Sequence, residues 1–235
     1  MISSLVDISL KMVRYNLRIV FGNKFVYFLL GATVFFIFVA LINILDDGSP
    51  RESTLYYLLL FPGILLVFYP SVFGIQNDED ARVLEVLFGI PNYRYKVWLV
   101  RLVLMLIITY FMLTALSYLG SLSIYPTNMF EMAAQLMFPV TFLGCLAFMF
   151  STMTRSGNGT AALMVVTGLI FWISAGILEE NAWNIFLNPF EAPADNMTEV
   201  VWERMLFENR VYLGVGSILA VLYGLVKLQK RERFV

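Results

Sequence analysis

Long apolar stretches alternate with short polar intervals along almost the whole chain. Six such stretches run near residues 25 to 45, 54 to 75, 98 to 120, 132 to 152, 160 to 178 and 209 to 226. A bilayer core requires roughly 20 apolar residues per helix, and a spanning segment must satisfy its own backbone hydrogen bonds. The stretches are continuous rather than alternating, which argues against a β-barrel. The pattern therefore predicts an all-α, polytopic bundle of six transmembrane helices, forming a single domain over residues 1–235.

Composition supports a membrane class. Hydrophobic residues make up 60% of the chain and charged residues 14%, against about 25% charged residues in an ordinary soluble domain. The longest polar interval, residues 179–208, leaves no room for a separate soluble domain.

The first 24 residues carry charges on one helical stripe, at Asp7, Lys11, Arg14 and Arg18. These charges interrupt the apolar stretch, so the segment is unlike a cleavable signal peptide. Residues 1–24 are expected to form an interfacial amphipathic helix. Such a helix either contacts a partner or is an anchor with no further role.

The distribution of basic residues predicts the orientation, since Lys and Arg accumulate on the cytoplasmic side of a membrane. With the N-terminus inside, only Arg51, Arg204 and Arg210 of the 16 basic residues face outward. Both termini and the interval 76–98 are then cytoplasmic, and the interval 179–208 is external.

The cytoplasmic interval 76–98 is patterned as a short helix. Asn77 or Asp78 is expected to cap its start, where Asp78, Glu79 and Asp80 would favour the helix dipole. Apolar positions at helical spacing follow, and glycine and proline end the pattern; these residues are Val83, Leu84, Leu87, Phe88, Gly89 and Pro91. The helix either inserts into a groove on a cytoplasmic partner or packs against its own bundle.

The external interval 179–208 is too apolar for a solvated loop. After Glu179 and Glu180 it returns to apolar and proline residues, namely Ala182, Trp183, Ile185, Phe186, Leu187, Pro189, Phe190 and Pro193. The interval is expected to be partly re-entrant. The alternative is an interfacial loop anchored by Trp183 and Trp202.

Several kinds of chemistry are disfavoured. The chain has no histidine, which argues against metal-dependent and serine-type intramembrane enzymes and against ion-coupled carriers. It also lacks the G-x-x-x-x-G-K-[ST] motif that holds nucleotide phosphates. Uncharged polar residues in the predicted spans are candidates for lining a path, although hydrogen bonding between packed helices is favoured; they are Asn43, Thr109, Thr114, Ser117, Gln135, Thr141, Thr167 and Ser174. Small residues at Gly216, Ala220 and Gly224 predict a close helix contact, within the subunit or across a dimer.

The run Asp80-Ala81-Arg82-Val83-Leu84-Glu85, followed by Leu87, Pro91, Arg94 and Arg101, resembles the signature of ABC-2 type transporter permeases. The preceding Pro62-Gly63 also resembles a feature of that family. The family usually has Gly-Thr where this chain has Arg82-Val83, and Lys where it has Arg101.

The resemblance implies a permease subunit of an ATP-driven exporter in the plasma (inner) membrane. This subunit would contact lipid, pair with a second copy or a homologous permease, and bind cytoplasmic ABC nucleotide-binding subunits. The chain itself would hold no cofactor, with ATP and Mg²⁺ in the partner ATPase, and it would bind no nucleic acid. A scaffold or substrate-binding subunit without ATP coupling is the alternative, and an intramembrane enzyme is a more remote one.

The resemblance also assigns roles to residues. The ATPase-coupling residues would be Asp78, Glu79, Asp80, Arg82, Leu84, Glu85, Leu87, Phe88, Pro91 and Arg94. Lys11, Arg14 and Arg18 would belong to a connecting helix that also touches the ATPase. Short re-entrant helices would form an external gate containing Trp183, Phe186, Pro189 and Phe190.

Overall fold

A computed structural model describes residues 25–45, 50–80, 94–179, 181–193 and 197–228. Its six helices are α1 (Phe25–Leu45), α2 (Glu52–Asp80), α3 (Val100–Ser123), α4 (Met129–Thr154), α5 (Gly157–Ile177) and α6 (Glu199–Lys227), with a π-helical turn, Arg94–Leu99, leading into α3. Helices α2 to α6 are each long and apolar enough to cross a membrane, and α1 is 21 residues long and contains no charged residue. The described residues contain no strand. The prediction of an all-helical, multi-pass membrane protein is confirmed at this level.

Two helices extend well beyond their apolar stretches. Helix α2 continues to Asp80, and α6 begins at Glu199, about three turns before its predicted span. The first turns of α6 bury Trp202 and Met205 against Ala182. Each of these 29-residue helices is about 43 Å long, so its ends exceed the roughly 30 Å apolar core of a bilayer.

Contacts between helix ends define two opposite ends of the bundle. At the first, which we call the Glu191 end, the Asn188 side chain donates to the Ser53 carbonyl at 3.0 Å. At the other, the Asp78 end, the Gln76 side chain accepts from the Gly157 amide at 2.5 Å. Successive helices therefore run in alternating directions.

Helix α4 lies at the centre and packs against α2, α3, α5 and α6. Its side chains Met132, Leu136 and Val140 are fully buried. By contrast, most large apolar side chains on α1 and α5 are exposed, as expected for helices that face lipid or another subunit.

The small residues of α6 allow close approach to α4. A Cβ atom at Gly216 would lie 2.7 Å from the Phe142 ring, and one at Gly224 would lie 2.8 Å from the Phe148 ring. Ala220 between them is buried. The close contact predicted from these three residues is therefore a contact within the subunit.

This contact predicts that Gly224→Ala destabilises the protein, because Phe148 is itself buried and must move to admit the added methyl group. Overpacking of this kind costs about 1–3 kcal/mol, or several degrees of thermal stability. The measurement is the apparent unfolding temperature in detergent. Gly214→Ala is the matched control, since a Cβ atom there meets nothing within 4 Å. Equal stability of the two variants would contradict the proposed contact.

Candidate functional site

An ion pair joins α2 to α3 at the Asp78 end. The Arg101 guanidinium donates to the Asp78 carboxylate at 2.5 Å, and the two side chains are 23% and 15% exposed. Arg101 also lies 5.3 Å from the centre of the Trp98 ring, which is buried. The pair therefore joins the end of α2 to the start of α3, the two helices between which the chain segment 81–93 runs.

The helix start predicted at Asn77 or Asp78 is wrong. Helix α2 passes through both residues and ends at Asp80. Neither side chain caps a new helix, because Asp78 is bound by Arg101 and the Asn77 amide donates to the Tyr69 hydroxyl at 3.4 Å. The acidic residues lie in the last turn of α2, where the helix dipole disfavours negative charge, and Arg101 offsets this effect at Asp78.

Most of the predicted coupling residues lie outside the described residues. These are Arg82, Leu84, Glu85, Leu87, Phe88 and Pro91, together with Lys11, Arg14 and Arg18 of the predicted connecting helix. Arg94 begins the π-helical turn, but its side chain is not among those described. Glu79 and Asp80 are exposed in the last turn of α2. Their roles stay predictions.

The Gln76 contact connects the same end of α2 to the turn between α4 and α5. A Cβ atom at Gly157 would lie 2.2 Å from the Phe73 ring and 2.6 Å from the Gln76 oxygen. The Ser156 hydroxyl caps α5 by accepting from the Gly159 amide. Glycine is therefore required at 157, and α5 begins in direct contact with α2.

At the Glu191 end, residues 181–193 form successive tight turns. The side-chain oxygens of Asn181, Asn184 and Asn188 each accept a hydrogen bond, at 3.0 Å, from the backbone amide two residues on. Such bonds compete with helix formation. Within 181–193 the chain has no helix, so the short helices implied for the external gate are not found there. The position of this segment relative to a bilayer stays a prediction.

The buried Asn209 and the partly buried Arg210 of α6 hold these turns in place. The Asn209 side chain donates to the carbonyls of Ala182 and Asn184 at 2.8 and 2.7 Å. Arg210 donates to Asn209 at 2.8 Å and to the Gln135 side chain of α4 at 3.1 Å. No carboxylate pairs with Arg210 within the part of the chain described.

The sequence pattern predicts Arg210 only as an external basic residue and does not predict this network. The available signal was the adjacent Asn209 and Arg210 in a predicted span, together with Gln135 in another. Interior polar groups of this kind need partners.

The four predicted gate residues occupy different surroundings. Trp183 is 65% exposed and stacks on Tyr212 of α6, with ring centres 4.5 Å apart. Phe190 lies 6.0 Å from the Tyr56 ring. Pro189 lies in the turn before Phe190, and Phe186 lines a cavity.

That cavity, which we call the aromatic pocket, has a volume of about 660 Å³ and lies between α2, α5, the turns and α6. It is lined by Tyr57, Leu60, Phe61, Ile64, Trp172, Ala175, Gly176, Glu179, Asn184, Phe186, Leu187, Asn188, Glu191, Ala192 and Trp202. A volume between about 300 and 1,000 Å³ is typical of small-molecule sites. A second cavity of about 410 Å³ lies between α5 and α6, shares Ala175 and Asn184 with the first, and includes Trp183.

Among the candidate path residues, Ser174 lines the second cavity, and the others whose side chains are described line neither. Thr109 is fully buried and its hydroxyl has no partner in the described part of the chain. Gln135 is bound by Arg210, and Thr141 lines neither cavity. The side chain of Asn43 is outside the described residues.

Other polar residues of the spans bond within their own helices. The hydroxyls of Thr114, Thr167 and Ser174 donate to the carbonyl four residues earlier, so the expectation of bonds between helices is wrong for these three.

Comparison with known proteins gives no match to a protein-family model, to a curated protein or to a solved structure. The resemblance to ABC-2 type permeases therefore stays a prediction.

The ion pair predicts that Asp78→Asn and Arg101→Gln each lower the apparent unfolding temperature by about 3–10 °C, because each leaves a partly buried charge without its partner. The double variant should be no less stable than the worse single one. Arg204→Gln is the control, since it breaks an exposed pair with Glu208 that contributes little. Additive losses in the double variant would show that the two side chains act independently.

Proposed function

We propose that this chain is the membrane-spanning permease subunit of an ATP-driven transporter, an exporter that works as a dimer with a separate cytoplasmic ATPase. The observation that carries the proposal is the Asp78–Arg101 ion pair. It lies at the base of the segment that carries the ABC-2-like residues and fastens both helices that flank this segment.

The geometry supports transmission of force from that segment. A displacement of residues 81–93 would act on α2 and α3 together, because Asp78 and Arg101 join them. The Gln76–Gly157 hydrogen bond would carry the same displacement to the start of α5. Helices α2 and α5 both also line the aromatic pocket at the opposite end.

An external source of energy fits the charge distribution. Asp78 and Arg101 form an ion pair near helix ends, and Arg210, about three turns inside α6, is basic rather than acidic. No histidine is present in the sequence. Ion-coupled carriers usually have an intramembrane acid or histidine on the transport path.

The exposed apolar faces of α1 and α5 are consistent with contact to lipid and to a second permease subunit. On α5 the side chains of Val166, Ile170 and Ile173 are all more than half exposed. In the proposed dimer, these faces contact the membrane lipid and the second permease subunit.

The test is capture of the ATPase. The neighbouring genes are first searched for one that encodes a nucleotide-binding protein, which is then co-expressed with the chain and purified with it by an affinity tag. We expect Leu84→Asp and Glu85→Ala each to lower ATPase recovery by about fivefold or more, as loss of an interface anchor typically does. The bundle itself should remain folded, judged by size-exclusion chromatography.

Glu203→Ala is the matched control, because Glu203 is exposed near the start of α6, at the Glu191 end. It should recover as much ATPase as the unmodified chain. Equal recovery from all variants would contradict coupling through the segment, and failure to recover any ATPase would favour the scaffold or substrate-binding alternative.

A further inference from the structure

The walls of the aromatic pocket combine two kinds of side chain. Tyr57 and Phe61 of α2, Trp172 of α5, Phe186 of the turns and Trp202 of α6 supply five aromatic rings. Aliphatic side chains fill most of the remaining wall. A ligand with a large apolar body would therefore find apolar contact on several sides.

The charged groups of this pocket are all acidic. Glu179 follows α5 and Glu191 lies in the turns, and none of the described residues lining the pocket is basic. Glu191 accepts a hydrogen bond from the Tyr57 hydroxyl at 3.3 Å, whereas Glu179 makes no salt bridge within the described part of the chain. Glu180 and Asp195, the nearest charged residues in sequence, are also acidic.

Glu191 and Tyr57 lie between the aromatic pocket and another cavity. Both also line a neighbouring cavity of about 420 Å³ between α1 and α2, together with Phe61. The carboxylate thus stands where two largely apolar cavities meet. A positive group placed there would be close to aromatic faces, whose quadrupoles attract cations.

Other ligand classes fit less well. A sugar needs several free hydrogen-bonding groups, but the Asn188 amide is already used by the Ser53 carbonyl and the Phe190 amide. An anionic ligand would meet two carboxylates. A metal ion would need more ligands, and the described residues contain no group of three or more suitable side chains.

We propose that the aromatic pocket binds hydrophobic organic cations, with Glu179 and Glu191 supplying the countercharge and Tyr57, Phe61 and Trp172 contacting the apolar body. As a statement about transported cargo, this inference rests on the proposed function. As a statement about binding, it concerns this chain alone and requires no ATPase.

Tetraphenylphosphonium is a suitable probe, because tetraphenylborate has nearly the same shape and the opposite charge. Binding is measured by equilibrium dialysis against the purified chain in lipid nanodiscs, with empty nanodiscs correcting for partition into lipid. We expect saturable binding of tetraphenylphosphonium and no saturable binding of tetraphenylborate.

Glu179→Gln and Glu191→Gln should each weaken tetraphenylphosphonium binding by about threefold, and the double variant by about tenfold, since each carboxylate is exposed and its attraction to a cation is screened by solvent. Glu203→Gln removes the same charge from an exposed position outside the pocket and should leave the affinity unchanged. Size-exclusion profiles check that all variants are folded.

Equal affinity for the two probes, or an equal effect of Glu203→Gln and the pocket variants, would overturn the inference. Saturable binding that depends on Glu179 and Glu191 would support it even if no ATPase were captured. The outcome for the pocket is therefore separate from the outcome for the proposed permease function.

Discussion

Close packing of glycines against the large apolar side chains of α4 is the constraint on which the rest of the structure depends. In lipid there is little hydrophobic force to bring helices together, so association relies on contact at short range. Gly63 permits this contact for α2, since a Cβ atom there would lie 2.9 Å from Val140, and Gly216 and Gly224 do so for α6. The fixed positions of α2 and α6 in turn place the aromatic pocket at one end and the Asp78–Arg101 pair at the other.

Helix α2 takes part in both regions. Its first turns supply Tyr57 and Phe61 to the pocket, and its last turns carry Gln76 and Asp78. Between them lies Pro62, which removes a backbone hydrogen bond from the helix interior. The aromatic pocket and the Asp78–Arg101 pair are thus connected by one helix, and the backbone hydrogen bonding of this helix is weakened beside the pocket.

Much of the fold could be predicted from sequence, because continuous apolar stretches of bilayer length leave few alternatives. The helix ends could not, since hydropathy does not detect a polar turn that continues a helix, as in Asn77 to Asp80 at the end of α2 and Glu199 to Glu208 at the start of α6. The pocket could not be predicted from sequence either. Glu179 and Glu191 were visible as external acids, but their approach to Tyr57 and Trp172 depends on how α2, α5 and the turns pack together. The Arg210 network escaped notice for the same reason, because its partners come from α4, α6 and the turns.

The scarce contacts of α5 have a mechanical consequence. Only its first turns, at Gly157, Thr160 and Met164, are buried, while the remainder is largely exposed. The Gln76 contact fixes that end, so a tilt of α5 would rotate the helix about Gly157. The displaced end carries Trp172, and Glu179 follows it. A modest swing would therefore change the width of the opening beside Tyr57 while the contacts among α2, α4 and α6 stayed as they are.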